Sequence, residues 1–358
     1  MNNELPPLRI GKMESRYPIV LGGMSTGLTT KEMTSAVVNE GGYGTIGGVG
    51  LGISPKIKRA EDYFNANELC LKREICDALE MTNNGNIGVN LMVVTTDYEN
   101  SIKVAVESGV KYIVSGAGLP TSLPKHVDKY KKSGQETPAL IPIVSSLRAA
   151  SFILRKWGNY SLPAAFVVET PNTAGGHLGA HIEDIGTKEF GLDVVVPQLV
   201  EFLKARKYDI PVIAAGGVWD RVDINHMLDI GAGGVQMATR FLVTDECNTS
   251  KEFKARHLLK NNIVIIKSPV GMPGRAIEND FIRKVNSGGR FNLGTCVKCL
   301  RGCEYSENGI GYCIIRALHN AHIGDTEKGV LFTGTNGYRL KEPGNGSVKE
   351  IFKELTGK

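Results

Sequence analysis

Eight short apolar runs recur along the chain, and each ends in small or polar residues. They cover positions 17–24, 42–48, 86–94, 110–118, 139–146, 163–170, 210–217 and 233–241. The runs are continuous in Val and Ile and do not alternate with polar residues, the pattern of strands buried on both faces. Between them lie stretches with helical spacing, such as TKEMTSAVVNE after the first and DYENSIKVAVESG after the third. Eight buried strands alternating with helices predict a (β/α)₈ barrel, the TIM-barrel fold. Such barrels carry their active site at the C-terminal ends of the strands. The ends here read Gly22-Gly23-Met24, Gly47-Gly48, Asn90, Ser115-Gly116-Ala117-Gly118, Ser145-Ser146, Gly216-Gly217 and Ala238-Thr239.

The barrel pattern predicts a division at 1–262, with residues 263–358 forming a C-terminal lid and a cysteine-rich helical extension packed on the barrel. Composition changes this picture little. Hydrophobic content of 42% and charged content of 22% are those of an ordinary globular protein. The net charge of +5 is dispersed, with no basic block interleaved with aromatics, which argues against nucleic-acid binding. The N-terminal stretch MNNELPPLRIGKMESRY has no apolar core of signal-peptide length, and no run reaches the ~20 apolar residues of a membrane span. The expectation is a cytoplasmic protein without a membrane partner, acting as a single chain or a homodimer.

A glycine at a strand end has a plain explanation, a sharp turn into the next helix. Pairs at several ends suggest more. Glycine lets a phosphate approach backbone N–H groups, and barrels often bind phosphate between the loops after strands seven and eight. Those loops carry Ala215-Gly216-Gly217-Val218 and Gln236-Met237-Ala238-Thr239-Arg240. After strand six comes ETPNTAGGHLGAH, which places His177 between glycines at the catalytic face. Most lone histidines are structural, but this context favours a proton-handling role at an ordinary pKa near 6.5. His181, His126, His226, His257, His319 and His322 have no such setting, and no H-E-x-x-H pattern suggests a catalytic zinc.

PIVLGGMSTG, VNLMVV, VSGAGLP, TAGGHLG, VIAAGGV, VQMATRF and SPVGMPGRAI follow one another in an order that resembles the nitronate monooxygenase (2-nitropropane dioxygenase-like) flavoproteins. The set is also similar to the FMN-dependent enoyl-acyl-carrier-protein reductases. The resemblance implies FMN. By it, Gly22, Gly23 and Met24 would contact the isoalloxazine, with Asn90 near its polar edge. Gly176, Gly179, Gly216, Gly217, Gln236, Met237, Ala238 and Thr239 would hold the ribityl chain and phosphate, and His177 matches the catalytic histidine. The chain departs from the pattern at 170–173, where Thr173 replaces an acidic residue, and along 145–162. Both stretches lie where a substrate would be recognised.

Four of the seven cysteines, Cys296, Cys299, Cys303 and Cys313, are spaced C-x2-C-x3-C-x9-C. Three readings stand together: reduced thiols packed as small apolar groups, a structural zinc site, or an iron–sulfur cluster. Cys70, Cys76 and Cys247 lack a partner pattern and read as structural. Three activities follow. The first is oxidation of alkyl nitronates by O₂ to carbonyl compound and nitrite. The second is NAD(P)H-dependent reduction of an enoyl thioester. The third is a non-redox reaction on a phosphorylated substrate. No G-x-G-x-x-G follows a strand, so NAD(P)H, if used, would have to stack on the flavin itself.

Overall fold

The computed structural model describes residues 4–259, 262–309, 311–340 and 346–358. The first three residues of the N-terminal stretch and residues 260 and 261, close to the 262/263 division, therefore lie outside it. The chain opens with an antiparallel hairpin, β1 (Leu8–Ile10) and β2 (Met13–Ser15). The eight apolar runs then become β3 (Ile19–Leu21), β4 (Gly44–Gly47), β5 (Ile87–Met92), β6 (Tyr112–Gly116), β7 (Ala139–Val144), β8 (Phe166–Glu169), β10 (Val212–Ala215) and β11 (Gly234–Met237). The strand numbered β9 (Gly176–His177) stands outside this set. The barrel strands are parallel and run in the order β3-β11-β10-β8-β7-β6-β5-β4. A parallel bridge from Val20 to Tyr43 joins the two ends and closes the barrel.

Each strand is followed by a helix. These are α1 (Lys31–Asn39), α2 (Ala60–Met81), α3 (Tyr98–Glu107), α4 (Leu123–Tyr130), α5 (Leu147–Trp157), α6 (Leu192–Ala205), α7 (Arg221–Asp229) and α8 (Lys251–Leu258). The strands bury two faces, as the unbroken apolar runs require. Ile19, Leu21, Val89, Ile113 and Phe166 face the helices, whereas Val20, Tyr43, Tyr112, Val114, Ile141, Val167 and Ile213 fill the interior. Tyr112 needs the space above Gly88, where a Cβ would lie 2.3 Å from its ring. Its hydroxyl donates to the Gly44 carbonyl, 2.8 Å away. The hairpin closes the opposite end of the barrel: Leu8 and Ile10 join the interior cluster, and Tyr43 Oη donates to Leu8 O.

Beyond the barrel the chain folds back over its mouth. β12 (Ile263–Lys267) pairs with β13 (Pro273–Ile277), and β13 pairs in turn with β9, which follows β8 by only a few residues. α9 (Asp280–Asn286), α10 (Glu304–Asn308) and α11 (Ile314–His322) follow. α12 (Val348–Thr356) packs Val348, Phe352 and Leu355 into the main core beside α1 and α7. Among the described residues no helix is long and apolar enough to cross a membrane.

Candidate active site

The mouth of the barrel opens into a cavity of about 430 Å³. Gly22, Gly23 and Met24 at the end of β3 and Asn90 on β5 form one wall. Gly216 and Gly217 after β10, with Gln236, Met237, Ala238 and Thr239 at the end of β11, form another. Gly176, His177 and Gly179 enter from the loop after β8. The structure thus brings the cofactor-binding candidates and His177 to one cavity.

The glycines serve close approach between the walls. A Cβ at Gly23 would lie 2.5 Å from Asn90 Cβ. Gly216 and Gly217 adopt left-handed φ values of 96° and 80°, conformations that side chains other than glycine resist. A Cβ at Gly217 would come 2.9 Å from Thr173 Cβ. This residue is therefore fixed by the neighbouring loop as well as by any ligand. Two buried polar atoms on the cavity wall, Thr173 Oγ1 and Gln236 Oε1, have no hydrogen-bond partner among the described residues. Buried groups left this way are costly, so both are suited to a ligand that supplies the missing bonds. The glycine-lined loops and these two atoms fit FMN.

His177 is held from three directions. It lies on β9 opposite Gly274 of β13. Its Nε2 shares a 2.8 Å hydrogen bond with Ser268 Oγ. Its ring meets Phe332 edge-on at 5.1 Å. Burial pushes its pKa down to about 4, so the expectation of a group titrating near 6.5 is corrected. The desolvated imidazole stays neutral at pH 7. With Nε2 engaged by Ser268, Nδ1 remains the ring nitrogen without a protein partner among the described residues.

Glu169 was hidden at the end of an apolar run. It is the last residue of β8, pairs in register with Ala215, and lines the cavity. Burial lifts its carboxyl to about 7. Thr173 stands where the resemblance implied an acidic residue, and Glu169, four positions earlier, is the acidic side chain that lines the cavity among the described residues. The segment around 333–336 was also unforeseen. Gly334 N donates to Thr239 Oγ1 at 2.9 Å, and Asn336 Nδ2 donates to Gly217 O at 2.6 Å. This strap ties together the two loops expected to hold the phosphate. His181 does not line the cavity.

His257 and His319 are likewise pushed down to about 4 by burial, and His322 is lowered. In the unfolded chain these rings protonate near 6.5, while His177, His257 and His319 resist in the folded chain until about 4. Stability is therefore present above pH 6.5 and falls as the pH drops from 6.5 toward 4. Glu169 acts oppositely, since its raised pKa favours the folded state as the pH falls through 7. Each fully buried ring costs about 2 kcal/mol at pH 5 and Glu169 returns a similar amount. The rings lowered to about 4 outweigh Glu169, so a net loss of stability between pH 7 and pH 5 is expected, read as a lower urea midpoint. An unchanged midpoint would show that these rings do not stay neutral in the folded protein.

The four cysteines lie away from the cavity lining, on the rim formed by the loop after β5 and the start of α11. Among the described residues, no three histidine, cysteine or acidic side chains close around one ion. That is not the arrangement of a zinc knuckle, and all four thiols are unpaired.

Comparison with known proteins places these features. The sequence profile of the nitronate monooxygenase family matches residues 7–358. A probable nitronate monooxygenase of Staphylococcus saprophyticus is 30% identical over 304 residues, covering 77% of this chain and 79% of that protein. One from Staphylococcus aureus is 28% identical over 299 residues, covering 75% and 78%. Among solved structures, FabK from Thermotoga maritima superposes with a TM-score of 0.70 at 23% identity, covering 95% of this chain and 92% of that one. A nitroalkane oxidase from Streptomyces ansochromogenes gives 0.69 at 19% identity, covering 95% and 96%. These two likenesses speak for the fold.

Proposed function

The chain belongs to the nitronate monooxygenase family of FMN-dependent oxidoreductases, and we propose that it oxidises alkyl nitronates with O₂ to the carbonyl compound and nitrite. The observation that carries this reading is the His177 ring, held by Ser268 and Phe332 on the wall of the cavity at the barrel mouth. A neutral ring donor placed there suits a small delocalised anion. FMN, when bound, accepts the electrons of the substrate and passes them to oxygen.

The chain's own groups do the rest. With Ser268 Oγ–H donating to Nε2, His177 carries its proton on Nδ1, as a neutral donor for a nitronate oxygen. Phe332 and Ser268 fix the ring so that this donor is already oriented before substrate arrives. Glu169, uncharged below about pH 7, places no net charge against an anion entering the cavity. Val144, Met272 and Phe332 give the wall an apolar lining, which strengthens each of these hydrogen bonds.

Anaerobic mixing with an alkyl nitronate, and separately with NADPH, tests the proposal. The nitronate is expected to bleach the flavin band, and admission of air to restore it with release of nitrite. Bleaching by NADPH with no response to the nitronate would assign the cavity to the reduction of an enoyl thioester instead.

A further inference from the structure

The strap across the cavity is held by hydrogen bonds and charge, with little apolar burial of its own. Its central turn, Thr335–Arg339, is a short 3₁₀ helix. No large apolar side chain of this turn is buried, and Tyr338 is 68% exposed. The inner contacts are few: Gly334 N donates to Thr239 Oγ1, Thr335 N to Thr173 O at 3.1 Å, and Asn336 Nδ2 to Gly217 O.

Arg339 fastens the outer end. Its Nη2 donates to Asp220 Oδ2 at 2.7 Å, and its Nη1 lies 3.8 Å from Asp223 Oδ2. Both carboxylates belong to the start of α7. Asp220 also accepts from the N–H groups of Val222 and Asp223, and Asp223 accepts from Trp219 N at 2.8 Å. The Arg339 guanidinium lies over the Trp219 ring, 5.4 Å from its centroid. Trp219 lines the cavity two residues after Gly217, and the buried Arg240 ties its carbonyl to Glu354 of α12. One half of the fastening is therefore rigid. The other half moves with the strap. Arg339 and Asp220 stay 33% and 30% exposed, and a pair so placed is weakly held and screened by salt.

We propose that the strap is a detachable clasp through which flavin enters and leaves the folded barrel, with Arg339 as the positioning residue that closes it. The other route would part the barrel itself, whose eight strands form one closed ring around a packed interior. A segment with few buried apolar contacts opens at a fraction of the free energy that unfolds a core. Thr333, Gly334 and Asn336 line the cavity, so lifting the strap uncovers the ends of β10 and β11. The inference rests on flavin lying in this cavity and not on the choice of substrate.

The test compares the parent, Arg339→Gln and Arg339→Lys as FMN-loaded whole chains, following release by the rise of free-flavin fluorescence on dilution. Arg339→Gln should release FMN about five- to thirty-fold faster at low salt, the combined weight of a partly exposed ion pair and one cation–π contact. High salt should speed release from the parent and from Arg339→Lys, which keeps the charge, and leave Arg339→Gln nearly unchanged. A merely structural role would lower the urea midpoint without this salt signature. In Arg339→Gln the amide hydrogens of Gly334 and Thr335 should exchange faster by a similar factor, while those of β10 and β11 keep parent protection. The proposal is overturned by parent-like release from Arg339→Gln, or by release that tracks the exchange of β10 and β11 amides. Should Arg339→Gln not fold, the parent decides by the same two measurements, salt response and amide exchange. A parent that takes up no FMN overturns the flavin placement and the clasp with it, whereas a loaded parent whose release ignores salt and Arg339 overturns the clasp alone.

Discussion

His177→Ala is expected to keep its flavin and lose turnover by about 10²–10⁴-fold, the range spanned by positioned proton-handling groups. Flavin retention follows from the geometry, because the strand-end glycines, Gln236 and the strap are untouched by the change. The loss follows from removal of the imidazole donor held in the cavity by Ser268 and Phe332. Steady-state rates per bound flavin check it, and activity within a few-fold of the parent would remove His177 from the reaction. A second reading comes from pH. Without a ring whose pKa burial has pushed down to about 4, the variant should lose less stability between pH 7 and pH 5 than the parent does.

Arg275→Leu is expected to cost on the order of 3–5 kcal/mol of stability and most of the flavin. The guanidinium is 5% exposed and donates to the carbonyls of Pro171 and Ala174. Its backbone pairs with Gly176 in the short sheet that carries His177. Burial disfavours its charge, so leucine relieves one cost while leaving two carbonyls without donors. The loop from Pro171 to His177 then loses its clamp, and Thr173 and Gly176 on that loop are part of the cavity wall. Urea midpoints together with flavin content decide the matter. Arg275→Lys should fall between the two, since one ammonium does not reproduce a planar fork spanning two carbonyls. Parent-like flavin content in Arg275→Leu would show that the loop is held by other contacts.

The barrel was legible because its strands are local, doubly buried and closely spaced, so the periodicity of each segment alone reveals it. The same holds for α1 and α3, whose sequences carry helical spacing between turn residues. The glycines at strand ends were legible as a group because chain geometry brings all such ends to one face. What escaped depends on partners distant in sequence. Gly176 and His177 form a strand only because Gly274 and Arg275 lie alongside, and two residues have no periodicity of their own. Ser268, Phe332 and Asn336 reach the cavity from beyond the barrel, and their sequences look like ordinary loops. Glu169 was missed for the opposite reason. It terminates a run so apolar that its carboxylate reads as the solvent-exposed start of a loop, whereas its strand register turns it inward.

The strap has a consequence for biogenesis. Gly334 and Asn336 complete the wall between the ends of β10 and β11, yet they are translated long after Met237, when all eight barrel strands have already been made. All eight strands are therefore synthesised before the segment that completes this wall. Cofactor capture becomes a late event in synthesis, and the nearly finished barrel is briefly a protein with an open, unsatisfied mouth. Quality control that senses exposed apolar surface would have its window there, before the strap docks.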